Sequence, residues 1–275
     1  MSVASKLGAL RQIWQFDNRW QLLLARFCFR ADPIAIYRLG ALQFAVDHTA
    51  GDASGAPDVL TSPMYVDHLA HLRARQPATV LDIGANTGGF PLFLAHHGIA
   101  LARVVSVELN PRTCIRLRFN LERNLRCPVT VLNAGLCGAT RPLELQLGEG
   151  SVADSLYAAS FNASGATTTV PGLAFDDLHA QTFGDDFGEN IVDICKIDVE
   201  FAEYEVMASP GHDRLRRCRL LVVEIHEDAG HDRRQVADAI VALGFEALPL
   251  GSDRSVHVFR NTALADAASA IPPRP

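Results

Sequence analysis

The sequence predicts an α/β fold in which helices cover both faces of a mostly parallel sheet. Short, continuously apolar runs recur from about residue 78 onward, as expected for strands that are buried on both faces. Amphipathic segments with helical spacing follow most of these runs, and this alternation is typical of a doubly wound sheet. The candidate buried strands are residues 80–83, 104–107, 129–132, 191–197 and 220–225.

Residues 1–77 differ from this pattern, and we interpret them as an N-terminal helical and hairpin appendage. Apolar and basic side chains alternate at helical spacing over residues 6–30, which predicts one amphipathic helix or two. Such a helix would pack on the main domain or on the partner in a homodimer, or would contact an anionic membrane surface. Residues 34–47 predict two short strands around Gly40.

The second half of the chain adds two further hairpins to the prediction. Residues 141–172 are rich in Gly, Ser and Thr, which indicates an insertion with a hairpin of its own. Residues 245–250 and 255–259 flank a turn-like Gly-Ser-Asp and predict an antiparallel pair at the sheet edge. The main domain would therefore span residues 78–262, and residues 263–275 would form a flexible tail.

Composition excludes several classes of protein. Of the 275 residues, 48% are hydrophobic and 20% are charged, as in a globular domain rather than a disordered chain. The net charge of −6 provides no overall positive field for a nucleic-acid partner. The six cysteines form no CxxC pair, so we expect neither a zinc site nor a disulfide framework, and a reducing cytoplasm fits best. No apolar stretch is long enough for a membrane span.

The strongest local signal is the segment 79–90, where an apolar strand runs into a glycine-rich turn and then a helix. Ligands of such sheets bind outside the carboxyl ends of the strands, where the strand order reverses. Gly84 would permit the tight turn, and Gly88 would let helix and ligand approach closely. Glu108 ends the next strand, where a carboxylate can accept from both ribose hydroxyls of an adenosine-bearing ligand.

Two side chains at this turn distinguish between nucleotide ligands. Asn86 stands where a dinucleotide fingerprint needs its second glycine, so a diphosphate would fit poorly. Asp82 precedes the turn, and its negative charge repels phosphate but suits the ammonium or sulfonium group of S-adenosylmethionine. In the plainer interpretation, Asp82 and Asn86 only satisfy amides of the turn or of the helix start.

An ordered series of motifs extends this signal along more than half of the chain. It begins with Asp-Ile-Gly-Ala-Asn-Thr-Gly and Glu-Leu-Asn-Pro, and it ends with Lys-Ile-Asp-Val-Glu and Glu-Ile-His. The series resembles the FkbM family of S-adenosylmethionine-dependent methyltransferases. The matching positions are residues 82–88, 108–111, Asn120, 133–134, 175–178, 196–200 and 224–226.

This resemblance implies a Rossmann-like class I methyltransferase fold with a seven-stranded sheet. It also implies S-adenosylmethionine as the cofactor, with S-adenosylhomocysteine as the product. The implied cofactor contacts are Asp82, Gly84, Asn86, Glu108, Asn133 and Ala134, and we expect Ala85, Gly88, Leu109 and Asp198 at the same site. Two positions depart from the family. Leu109 stands where a proline is usual, and Phe201 replaces a glycine, which would put a large side chain near the substrate pocket.

Candidate reacting groups follow two further strands. Lys196 and Asp198 share one face at the end of the fourth candidate strand, and Glu224 and His226 end the next one. Such a cluster can orient an acceptor hydroxyl and take its proton as the methyl group transfers. His226 is the preferred base because an unperturbed histidine has a pKa of about 6.5, and Asp198 is the alternative. Use of Asp198, Glu224 and His226 as ligands of a divalent metal ion is a less favoured option, and we assign no metal site.

The sequence therefore predicts a methyltransferase that acts on a hydroxyl of a small molecule, a carbohydrate or a natural-product intermediate. One alternative is a non-catalytic adaptor that keeps the fold, with Phe201 closing the pocket. A nicotinamide-dependent oxidoreductase is a further alternative, although the missing second glycine of the turn argues against it.

Overall fold

A seven-stranded sheet forms the centre of the computed structural model, which describes residues 10–28, 33–52, 55–146, 167–184 and 190–264. In spatial order its strands are β11 (Phe245–Ala247), β12 (Val256–Asn261), β10 (Cys218–Glu224), β9 (Val192–Ile197), β3 (Ala78–Ile83), β4 (Leu101–Glu108) and β5 (Val129–Asn133). The five strands from β10 to β5 are parallel, whereas β12 runs antiparallel to both of its neighbours.

Strand β3 comes first in the chain among these seven but lies in the middle of the sheet. The chain then forms β4 and β5 on one side and later β9 and β10 on the other, so the strand order reverses between β3 and β9. Such a reversal leaves a crevice outside the carboxyl ends of the strands. The predicted Rossmann-like class, with a mostly parallel seven-stranded sheet, is confirmed.

Helices cover both faces of the sheet because successive residues of a strand point to opposite sides. Val80 of β3 belongs to the core on one face of the sheet, together with Leu117 of α5 (Pro111–Asn124). Leu81 belongs to the core on the other face, together with Leu178 of α6 (Phe175–Phe183). The helices are α1 (Arg19–Cys28), α2 (Ala56–Thr61), α3 (Leu69–Leu72), α4 (Gly89–His96), α5 (Pro111–Asn124), α6 (Phe175–Phe183), α7 (Ala202–Ala208) and α8 (Arg233–Ala242), with 3₁₀ turns at Val66–His68 and Asp213–Arg217. Within the described residues, none of these helices combines the length and the apolar character that a membrane crossing requires.

The N-terminal segment contains the predicted hairpin and shares a core with the sheet. Strands β1 (Ile34–Leu39) and β2 (Leu42–Asp47) pair antiparallel around Gly40. The rings of Phe16 and Tyr37 lie 4.7 Å apart, and both side chains belong to the core that contains Val80. The appendage is therefore continuous with the main domain through its packing.

The other two predicted hairpins are also present. In the insertion, β7 (Arg141–Gln146) pairs antiparallel with β8 (Thr167–Leu173), and the short β6 (Gly135–Leu136) runs parallel to β8. The middle of the predicted insertion, residues 147–166, and the end of the predicted tail lie outside the described residues. Strands β11 and β12 form the predicted antiparallel pair, with β11 at the edge and β12 inside the sheet against β10.

Asn120 joins the hairpin to the main sheet. It lies in α5 and is fully buried, and its Oδ1 accepts a hydrogen bond from the amide of Ala45 at 2.7 Å. Its Nδ2 donates to the carbonyl of Ala45 at 3.1 Å and to that of Thr87 at 2.9 Å. A single amide side chain therefore satisfies backbone groups of both β2 and the glycine turn.

Replacement of this side chain should destabilise the fold. Asn120→Ala leaves the amide and carbonyl of Ala45 and the carbonyl of Thr87 buried without this partner, so we expect a loss of about 1–3 kcal/mol in the free energy of unfolding. Urea denaturation measures the loss. Ile115→Ala, at an exposed position of the same helix, is the control. A change in Asn120→Ala no larger than that of the control would contradict this role.

Candidate active site

Glycine is required at the turn after β3, because the backbone that follows β9 passes directly over it. Gly84 has a φ of +73°, and a Cβ atom there would lie 1.6 Å from the carbonyl oxygen of Asp198. A side chain at this position would push the ends of the two strands apart. Gly88 has a φ of +91° at the start of α4, where a Cβ atom would lie 2.9 Å from Leu121 of α5. Gly84 thus makes the tight turn, and Gly88 allows α4 to approach α5.

A cavity of about 290 Å³ opens at the carboxyl ends of β3, β4 and β9. Several residues predicted to bind the cofactor or to react line it, namely Gly84, Ala85, Asn86, Glu108, Leu109, Ala134, Lys196, Asp198 and Glu224. Four other predicted residues, Asp82, Gly88, Asn133 and His226, are not part of this lining. The structure therefore brings most of the predicted set together and leaves these four in the surrounding layer.

One wall of the cavity comes from residues 50–52 and 55–65 of the N-terminal appendage, where we expected acceptor contacts without predicting any individual residue. The lining residues from this segment are Ala50, Gly55, Asp58, Val59, Met64 and Tyr65. The amide of Ala56 donates to Thr87 Oγ1 at 3.0 Å, and a Cβ atom on Gly55 would lie 2.3 Å from Asn86 Oδ1. The segment carries no motif that would single out individual residues, so only its general contribution to the site was predictable.

The ammonium of Lys196 contacts the buried Asp82 of β3, the glycine turn and the residue that follows β9. Its Nζ lies 3.7 Å from Asp82 Oδ1, and it donates to the carbonyl of Gly84 at 3.0 Å and to Asp198 Oδ2 at 3.1 Å. Burial raises the pKa of the fully buried Asp82 to about 6, although the ammonium of Lys196 opposes this rise. Burial alone would lower the pKa of Lys196, but the carboxylates of Asp198 and Asp82 hold it well above its usual value. Asp82 therefore lies beneath the turn, paired with Lys196.

Glu108 holds the glycine turn from the next strand. Its Oε2 accepts from the amide of Asn86 and its Oε1 from the amide of Asn110, both at 2.8 Å. Asn133 is directed toward the backbone, because its Nδ2 donates to the carbonyls of Glu108 and Leu109 at 2.9 and 2.8 Å. The carboxylate of Glu108 is thereby fixed on the cavity wall, next to Leu109.

His226 lies beside the cavity among several carboxylates. Its Nε2 is 3.4 Å from Glu200 Oε2 and 3.9 Å from Asp198 Oδ1, and its Nδ1 is 3.1 Å from Glu203 Oε1. Burial alone would lower the pKa of His226, but the hydrogen bond with Glu203 and the charges of Asp198 and Glu200 raise it to about 9. Burial also raises the pKa of Glu224 to about 7, and the charge of Asp198 adds to this rise.

Within the part of the chain that the structure describes, Asp198, Glu200 and His226 are grouped as metal ligands would be. Their ligand atoms all lie within 4.8 Å of one another. The set differs from the predicted alternative because Glu200 takes the place of Glu224, whose Oε1 accepts from Ser255 Oγ at 3.3 Å. A cation there would compete with the ammonium of Lys196 for Asp198 and with the proton of His226. The assignment of Asp198 and His226 to proton transfer stays a prediction.

Phe201 occupies a position with a left-handed backbone. Its φ is +76° at the residue before α7, a conformation that glycine adopts without strain and that costs other residues about 1–3 kcal/mol. Its ring lies 5.4 Å from the ring of His226 and 5.2 Å from that of His231. Phe201 is not part of the cavity lining, so its side chain packs on these histidines instead of filling the cavity.

Glu224 should make stability depend on pH. Folding raises its pKa from an ordinary 4.5 to about 7, so the folded protein binds more protons than the unfolded chain between these values. The free energy of unfolding therefore falls as the pH rises through this window. Glu224→Gln removes the carboxyl group, and we expect its stability relative to the unsubstituted protein to increase from pH 4.5 to 7.

Urea denaturation at a series of pH values measures this change. Glu122→Gln, at an exposed position of α5, is the control. A difference in the free energy of unfolding between Glu224→Gln and the unsubstituted protein that stays constant from pH 4.5 to 7 would contradict this effect of Glu224.

Comparisons with known proteins identify relatives of this chain. Residues 82–248 match the family model of the methyltransferase FkbM domain. The AMB antimetabolite synthetase AmbE of Pseudomonas aeruginosa is 29% identical, with the match covering 64% of this chain and 10% of that protein. Among solved structures, a methyltransferase FkbM from Methylobacillus flagellatus aligns with a TM-score of 0.43 and 16% identity, over 66% of this chain and 43% of the other. A precorrin-6y C5,15-methyltransferase from Geobacter metallireducens aligns with a TM-score of 0.40 and 14% identity, over 74% of this chain and 92% of the other.

The family match covers more than half of the chain and contains the glycine turn, Glu108, Lys196 and His226. The resemblance inferred from the motifs is thereby confirmed. This chain belongs to the methyltransferase FkbM domain family.

Proposed function

We propose that the protein transfers a methyl group from S-adenosylmethionine to a hydroxyl group of a small molecule, a carbohydrate or a natural-product intermediate. The main support is the cavity at the reversal of strand order, which joins the glycine turn and Glu108 to the cluster of Asp198 and His226. A donor bound over the turn would have its reactive end near this cluster.

The charge of the cavity favours a cationic cofactor. Its lining carries five carboxyl groups, from Asp58, Glu108, Asp198, Glu200 and Glu224, and one ammonium group, from Lys196. This excess of acid attracts the sulfonium and ammonium of S-adenosylmethionine and repels the diphosphate of a nicotinamide dinucleotide. In this arrangement Glu108 accepts from the ribose hydroxyls, and Leu109 and Ala134 contact the adenine.

The largest contribution that an enzyme makes to the rate of methyl transfer is the alignment of donor and acceptor. Bound S-adenosylmethionine would supply the methyl group to the acceptor oxygen and would leave as S-adenosylhomocysteine, with the electron pair of the broken carbon–sulfur bond on sulfur. The hydroxyl proton passes to His226 Nε2, or to Asp198 in the alternative assignment. The positive charge of a bound sulfonium near His226 would oppose protonation of its imidazole and so would favour the neutral, basic form.

Calorimetric titration with S-adenosylhomocysteine, with NADH as the comparison ligand, tests the donor site. We expect saturable binding of S-adenosylhomocysteine at one site and none of NADH. Binding of NADH alone would overturn the proposal in favour of an oxidoreductase, and binding of neither ligand would favour a non-catalytic adaptor. After a positive result, mass spectrometry of a hydroxyl-bearing compound panel identifies the methylated acceptor.

A substitution of Glu108 tests the ribose contact. Glu108→Gln keeps the shape of the side chain but removes the charge that two ribose hydroxyls would contact, so we expect about tenfold weaker binding of S-adenosylhomocysteine. Calorimetry measures the affinity, and Glu122→Gln is again the control. Equal affinity in folded Glu108→Gln and in the control would place the ribose elsewhere.

A further inference from the structure

Helix α7 holds His226 at three points. The backbone amide of His226 donates to Glu203 Oε1 at 2.8 Å, and the ring Nδ1 lies 3.1 Å from the same oxygen. The hydroxyl of Tyr204 donates to the carbonyl of His226 at 2.7 Å. Glu203 is 1% exposed, so water scarcely reaches this contact.

The contact with Glu203 determines which ring nitrogen faces the cavity. A carboxylate only accepts hydrogen bonds, and the contact of Nδ1 with the buried Glu203, at 3.1 Å, is shorter than the 3.4 Å and 3.9 Å that separate Nε2 from the carboxylates on its side. A neutral imidazole in this position therefore carries its proton on Nδ1. The lone pair is then on Nε2, which lies near Asp198 and Glu200, two residues of the cavity lining. The ring of Phe201 lies 5.4 Å from the same imidazole.

Other charged groups surround His226, but their positions differ from that of Glu203. Asp198 and Glu200 follow β9, Glu224 ends β10, and Lys196 lies within β9. Asp198 and Glu200 lie on the Nε2 side of the ring, and Glu224 and Lys196 carry further charge at the same end of the sheet. Glu203 is the carboxylate in contact with Nδ1.

We propose that Glu203 is a positioning residue that keeps neutral His226 in the Nδ1-protonated tautomer, with Nε2 directed at the acceptor hydroxyl. The role of His226 as the base rests on the proposed function, whereas the tautomer is a property of the protein alone. During transfer, Nε2 takes the hydroxyl proton, and the resulting imidazolium remains hydrogen-bonded to Glu203 through Nδ1.

Nitrogen-15 NMR of the imidazole rings tests this arrangement without cofactor or acceptor. His226→Gln assigns the signals of His226, and a pH titration follows its ring. We expect the neutral ring to be protonated at Nδ1. In Glu203→Gln we expect the pKa of His226 to fall by about one pH unit or more and the two tautomers to mix. Glu205→Gln, on the same helix but paired with Arg141 at the surface, should leave both unchanged.

A neutral His226 protonated at Nε2 in the unsubstituted protein would overturn the proposal, and this measurement does not depend on the folding of any Glu203 variant. An unchanged titration in folded Glu203→Gln would overturn it as well. Failure of S-adenosylhomocysteine binding would instead overturn the proposed function and leave the tautomer assignment intact. Once an acceptor is known, Glu203→Gln should lower kcat and shift its pH profile while the KM for S-adenosylmethionine stays the same, and Glu203→Asp should restore part of kcat.

Discussion

The buried ammonium of Lys196 is the interaction on which the geometry of the site depends. A fully buried acid such as Asp82 is unfavourable unless it is paired, and Lys196 is its ion-pair partner across the ladder between β3 and β9. The same ammonium binds the carbonyl of Gly84 and the carboxylate of Asp198. The ammonium of Lys196 therefore fixes the turn at Gly84, orients the carboxylate of Asp198 and offsets the negative charge of Asp82.

Two walls of the cavity are built from different parts of the chain and meet at the glycine turn. The turn and Glu108 belong to the β3–β4 region, whereas a second wall comes from residues 50–52 and 55–65. Thr87 connects the two, because its Oγ1 accepts from the amide of Ala56, and Asn120 joins the carbonyl of Thr87 to β2. Variation in the N-terminal segment can therefore reshape this wall of the cavity while Glu108 keeps its hydrogen bond to the turn.

Local patterns were sufficient to predict the sheet, because strands buried on both faces must be apolar throughout and this signal needs no knowledge of contacts. The glycine turn was predictable for a similar reason, since Gly84 adopts a conformation that few other residues can. The inward position of Asp82 was not predictable in this way, because it depends on the register that places Lys196 beside it. The pairing of Glu203 with His226 depends likewise on how α7 packs against the end of β10, and the wall at residues 50–65 depends on tertiary contacts alone.

Asn120 contacts both β2 and the glycine turn, and it therefore couples opening of the hairpin to the binding of a ligand at the turn. A ligand that orders Thr87 and its neighbours also favours the conformation in which Asn120 bonds to Ala45. By thermodynamic linkage, the hairpin then opens less often when the donor site is filled. Slower exchange of the Ala45 amide hydrogen with solvent would report occupancy of a cavity that this amide does not line.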